Sequence, residues 1–182
     1  MKHSKANLIV GALLAAASIV PAVSHAADGT ITFTGKVLAQ SCKVNTGKGD
    51  LTVALPSAVA GSLATAGQRA GRVPFTLSLT ECDDQAGKVS ALFVPGALDA
   101  NSGKLKNNLT GKDAATNVGI ALLNSDGKDM NLAAVTPADQ GSSAATVSGK
   151  KAELKYFAEY AALGAATPGA VTSTATYTIQ YL

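Results

Sequence analysis

The sequence predicts an all-β chain, an immunoglobulin-like β-sandwich of seven or more short strands pinned by one disulfide. Three observations lead there. Apolar residues recur with a period of two from residue 30 onward, turn-forming clusters separate the runs, and two cysteines occur in a chain that carries an export signal. At 182 residues the length suits one domain.

The elements follow in order. Ile31, Phe33 and Val37 share one face of the first segment with Gly35 between them, while Thr32, Thr34 and Lys36 share the other. Leu51, Val53 and Leu55 alternate next and predict a strand. Val73, Phe75, Leu77 and Leu79 run toward Cys82, and Val89 to Val94 is an apolar run ended by Pro95-Gly96. Val118, Ile120 and Leu122 form another strand, closed by the turn residues Asn124-Ser125-Asp126-Gly127. Leu154, Tyr156, Ala158 and Tyr160 give a further alternating face. From Val171 to Tyr181 a mainly apolar face alternates with Thr172, Thr174, Thr176, Thr178 and Gln180, the pattern of a half-buried strand. Residues 56–72 and 136–150, rich in Ala, Gly, Ser and Thr, read as loops with room for a short helical turn.

The first 26 residues read as a cleaved export signal. Lys2, His3 and Lys5 make a basic start, Leu8 to Val20 is almost continuously apolar, Pro21 breaks the run, and Ser24-His25-Ala26 supplies a small-residue cleavage site. The apolar run is shorter than the roughly 20 residues needed to span a bilayer. Removing 26 of 182 residues leaves 156, discards Lys2, Lys5 and both histidines, and lowers the net charge from +3 to +1. The mature chain then holds no imidazole, which excludes Ser-His-Asp and Cys-His catalysis and histidine metal ligation. So small a charge does not provide the basic field of a nucleic-acid binder, and Lys150-Lys151 is too small a cluster to supply one. Cys42 and Cys82, in an oxidising compartment and without a Cys-x-x-Cys spacing, are expected to pair as a structural disulfide.

Other motifs take bland readings. Asn108-Leu109-Thr110 matches a glycosylation sequon by coincidence, Asp126-Gly127-Lys128-Asp129 reads as a hairpin turn, and Asp83-Asp84 reads as a solvated strand end. No pair of carboxylates is singled out for hydrolysis, and no cofactor is implied.

Two features at opposite ends are more specific. One is Gly29-Thr30-Ile31-Thr32-Phe33-Thr34-Gly35-Lys36-Val37, with Cys42 seven residues after Gly35. The other is Gly169, fourteenth from the end, followed by an alternating strand with Tyr181 in the penultimate position. On these the chain resembles the type 1-like fimbrial subunits (pilins) of the chaperone–usher pathway of Gram-negative bacteria, over essentially all of its mature length. The resemblance implies an incomplete immunoglobulin-like sandwich completed by a donor strand from a neighbouring subunit, the β-strand addition mode for which chaperone–pilin complementation is a standing example.

Under that resemblance residues 1–26 are the signal peptide, 27–38 the donor-strand extension and 39–182 the pilin domain. Ile31, Phe33, Gly35 and Val37 would enter a neighbour's groove. Gly169, Tyr177, Ile179, Tyr181 and Leu182 would contact the periplasmic chaperone or the next subunit. The implied partners are other pilin subunits, that chaperone and an outer-membrane usher; the implied place is the cell surface, in fimbriae; and the implied role is structural, not enzymatic. One pilin domain without a receptor-binding domain favours a major shaft subunit. The alternatives are a minor adaptor pilin and a monomeric secreted β-sandwich that binds a ligand.

Overall fold

The computed structural model describes residues 32–35, 37, 38 and 41–182. The proposed signal peptide and Ile31 lie outside the described residues. Val37–Leu182 form one compact unit, separate from the segment ending at Lys36.

Within Val37–Leu182 eight strands make two antiparallel sheets. They are β1 (Lys43–Val44), β2 (Arg69–Thr80), β3 (Lys88–Pro95), β4 (Leu105–Lys106), β5 (Val118–Leu123), β6 (Ala144–Thr146), β7 (Ala152–Ala162) and β8 (Ala175–Tyr181). One sheet has the order β1-β2-β7-β5-β4 and the other β6-β3-β8. Period-two patterning puts Leu77 and Leu79 of β2, Val89, Ala91 and Phe93 of β3, Ile120 and Leu122 of β5, and Leu154, Tyr156 and Ala158 of β7 into one core between the sheets. Tyr156 anchors it, stacked on Phe75 at 5.5 Å and edge-on to Phe93 at 5.0 Å between ring centroids. Cys42 and Cys82 are disulfide-bonded, tying the segment leading into β1 to the residues just after β2.

Three expectations change. β2 starts at Arg69 inside a stretch read as loop, because its register against β7 shifts between Ala70 and Val73, with Gly71 at a positive φ of 66°. That bulge hides the alternation from the sequence. The stretch 136–150 holds the short helical turn the sequence allows for, α1 (Pro137–Gln140), and also a strand it does not predict, β6. α1 starts at Thr136, whose hydroxyl accepts the Asp139 N–H, with Pro137 in its first turn, and it stops at Gly141 in the left-handed conformation (φ 68°).

The third change bears on function. Leu51, Val53 and Leu55 do not form a strand. Val53 and Leu55 still turn toward the core, half-buried, while Thr52, Ala54 and Pro56 are exposed. The segment is patterned as a strand, yet none of the described backbone hydrogen bonds involves residues 51–55. Its side chains have a core to face, but among the described residues its main chain has no ladder partner.

Candidate functional site

The same deficiency appears on β8. This strand pairs with β3 on one side, from Val89↔Tyr181 to Pro95↔Ala175, and is the last strand of its sheet. At the two ends of that ladder the Leu182 N–H donates to the Lys88 carbonyl at 2.8 Å and the Gly96 N–H to the Thr174 carbonyl at 2.9 Å. Hydrogen-bonded pairs alternate in an antiparallel ladder. The even-numbered residues of β8 therefore direct their backbone groups at β3, and Ala175, Tyr177, Ile179 and Tyr181 direct theirs away from it. Among the described residues those outward N–H and C=O groups meet no partner strand.

These four residues also carry the inward side chains, and all four are only half-buried. Of their partners across the ladder, Val89, Ala91 and Phe93 are buried and Pro95, opposite Ala175, is half-buried. The core is thus under-covered along β8, on the side where Cys42 and Gly49 approach it. Open backbone beside a row of half-covered apolar side chains is what an acceptor for an added strand requires, since ladder hydrogen bonds bind and alternate pockets select.

Two phenols cross this opening. The Tyr181 hydroxyl accepts the Cys42 N–H at 2.6 Å, and the Tyr177 hydroxyl donates to the Gly49 carbonyl. Burial, reinforced by the charge of Asp50, holds the Tyr177 phenol above its ordinary pKa, so it stays a donor at neutral pH. The Tyr177 ring lies 6.2 Å from that of Phe93, continuing the aromatic core toward the surface.

The remaining residues singled out from sequence fall as follows. Phe33 and Val37 are 90% and 96% exposed, and an added Cβ on Gly35 would meet nothing within 4 Å. Ile179 lies in the half-buried row, and Leu182 is exposed at its end. Gly169 has a local reason to be glycine: at φ 154° it packs so closely that a Cβ would lie 2.4 Å from the Ala115 nitrogen, beside the Ala114↔Ala170 bridge. The cysteines bond to each other, with Cys42 on the wall that Tyr181 reaches.

An open cleft of about 830 Å³ lies elsewhere, lined in part by Arg69, Asp99, Lys104, Asn107 and Asp129. Its polar groups serve one another. Asp129 binds both Arg69 at 2.7 Å and Lys104 at 2.6 Å, and although its partial burial works the other way, these bonds lower its pKa. Buried Glu159 binds Arg72 at 2.6 Å and Arg69 at 3.4 Å, and the bond to Glu159 raises the Arg72 pKa. Asn107 spends its amide on Ala115 and Ala170 and its oxygen on Leu109 and Thr172. This cleft is braced, not poised. Among the described residues no three His, Cys, Asp or Glu side chains cluster to hold a metal.

Sequence reasoning found the residues of β8 but not the bonds their hydroxyls make, nor that Leu51–Leu55 lacks a ladder. Alternation shows which face is buried, not whether a backbone is paired.

Comparison with known proteins agrees with this geometry. Residues 31–182 match the family described as "Fimbrial protein". The chain is 45% identical over 174 residues to the major fimbrial subunit SMF-1 of Stenotrophomonas maltophilia (strain K279a), covering 93% of this chain and 99% of that one. It is 41% identical over 182 residues to the F17 fimbrial protein of Escherichia coli, covering 97% and 98%. Among solved structures it is similar to the P pilus rod subunit PapA, with a TM-score of 0.61 at 21% identity over 79% of this chain and 100% of that one.

Proposed function

The chain belongs to the fimbrial protein family, and we propose that it is the repeating shaft subunit of its fimbria, each copy lending residues 27–38 to the next. It is a structural subunit of surface fimbriae with an incomplete immunoglobulin-like fold, in a family of structural proteins that polymerise with other subunits. The observation that carries the mechanism is the bare edge of β8 beside its half-buried inward row.

A sheet edge and an apolar trough of this kind gain most from an extended segment with apolar residues at every second position. Phe33 and Val37 meet that description and stand exposed. Ile31 completes the set from sequence. Gly35 omits a side chain, as suits an entering strand where the trough is shallow or another backbone comes close. Burying the three apolar side chains would contribute about 5–8 kcal/mol as an upper figure, besides the ladder hydrogen bonds. A periplasmic chaperone that lends a strand before assembly, pairing along Gly169–Leu182 and holding the terminal carboxylate, fits the same edge, and an outer-membrane usher would then exchange it. The higher identity to a protein named as a major subunit (45%) than to one named as a minor subunit (36%), each over 93% of this chain, supports the shaft role.

The test is deletion of residues 27–37. The shortened subunit is expected to be recovered from the periplasm bound to chaperone and to be missing from fibres, whose subunit ladder collapses only on strong heating in detergent. Normal fibre growth by the truncated chain would refute donation by this segment.

A further inference from the structure

Tyr177 and Tyr181 do more than line the trough. Their hydroxyls engage main-chain groups on its far side, the Gly49 carbonyl and the Cys42 N–H. One phenol donates and the other accepts. Those are the two services a third strand lying beside β8 would offer from its own backbone. The groups they engage lie on or beside β1, itself the edge of the other sheet. Residues 42–49 also contain a 3₁₀ turn, Asn45–Gly47, folded back through the Gly49 N–H to the Val44 carbonyl at 3.2 Å, so this wall is compact and can be held from two points.

We propose that Tyr177 and Tyr181 form a two-point latch that closes the strand-accepting slot of an unassembled subunit and has to open before a donor strand enters. The latch rests on the strand-donation reading and extends it with a device of the acceptor. An open edge invites unprogrammed pairing. Side chains that occupy the opposite wall make such pairing compete with an intramolecular contact, while a donor that fills the apolar row has enough burial to displace it. The latch sets the rate of entry and leaves the final, strand-filled state largely unaffected.

The test uses the chain from Ala27 to Leu182 and a fluorescent peptide spanning residues 28–38, with Tyr177→Phe, Tyr181→Phe and the double variant. Removing one hydrogen bond changes a population by roughly fivefold. Peptide uptake is expected to accelerate by about that factor for each hydroxyl removed, and amide exchange at Cys42 to speed up about fivefold in Tyr181→Phe. Equal Cys42 exchange in the wild type and Tyr181→Phe overturns the proposal. Faster exchange with unchanged or slower uptake overturns it too, because the bonds then brace the wall without gating it. If the double variant does not fold, the single variants decide by the same two readouts. A wild-type subunit and variants that never take up the peptide refute strand donation and the latch with it, whereas wild-type uptake that neither substitution accelerates refutes the latch alone.

Discussion

The two long edges of the β6-β3-β8 sheet face the same problem and solve it unequally. On the β3 side the short strand β6 covers only Lys88 to Ser90. Beyond it, side chains take over. Gln140 accepts the Phe93 N–H at 3.0 Å and donates to the Phe93 carbonyl at 2.6 Å and to the Ala134 carbonyl at 3.0 Å, while Ser142 donates to the Ala91 carbonyl at 2.6 Å. Gln140 is 1% exposed and Phe93 4%. On the β8 side two phenols reach across, and the row beneath them stays half-covered. The contrast teaches that side chains can finish a sheet edge when a helix packs them against it. The protein does so on the β3 side, and under the proposed mechanism the β8 edge is left to another polypeptide.

The largest effect is expected at the covalent tie of the open side. The disulfide closes a loop with a sequence separation of 40. Replacing Cys42 and Cys82 together by Ser is expected to cost about 4 kcal/mol in urea unfolding, on chain-entropy grounds. The double variant is also expected to lose amide protection at residues 42–50 before it loses any around Phe93. Simultaneous loss at both places would mean that the two sides of the sandwich are one cooperative unit and that the contrast drawn between them fails.

Next is the closed edge itself. Gln140→Ala strands the buried N–H and carbonyl of Phe93, at an expected cost of about 3 kcal/mol. Tyr181→Phe removes one bond from a half-buried site where water can replace it, and is expected to cost under about 1 kcal/mol. Urea unfolding of both variants sharpens the comparison, and equal losses would break it. The closed edge would then be no better sealed than the open one.

The closed edge was the less legible of the two from sequence. Strands β5, β7 and β8 follow from alternation that local residues fix, β3 from its apolar run, and the Asn124–Gly127 turn from its side chains, with the Gly127 N–H bonded to the Asn124 carbonyl at 2.9 Å. Gln140 gave no such signal. A glutamine in an Ala- and Ser-rich stretch reads as surface, and only the fold carries it onto Phe93, 47 positions away in sequence. The open edge was legible through resemblance, because the ending from Gly169 to Tyr181 and the spacing from Gly35 to Cys42 are the features that carry the likeness to pilins. The bonds of the tyrosine hydroxyls were not, since Tyr at an inward position predicts burial of the ring and leaves the partner of its oxygen open.

The smallest effect isolates one hydroxyl on the open edge. Burial, with Asp50 adding to it, raises the Tyr177 phenol pKa above its model-peptide value of 10.0. A phenol that holds its proton more tightly when folded adds stability that is fully present below its unfolded pKa and is lost as pH rises through the folded one. Tyr156 is raised as well, by burial opposed by its bond to Ser142, so the wild-type curve alone mixes the two residues. The difference between wild type and Tyr177→Phe separates them. Measured by urea unfolding from pH 7 to 11, that difference is expected to stay level to about pH 10 and then shrink, because a phenolate cannot donate to the Gly49 carbonyl. On the closed edge the bonds of Gln140 hold no titrating group, and Tyr156, which bonds Ser142 there, contributes equally to wild type and Gln140→Ala and cancels in their difference. The matching difference for Gln140→Ala is therefore expected to stay flat over the same range. A Tyr177 difference that is equally flat would show that its hydroxyl bonds to water and not to the opposite wall.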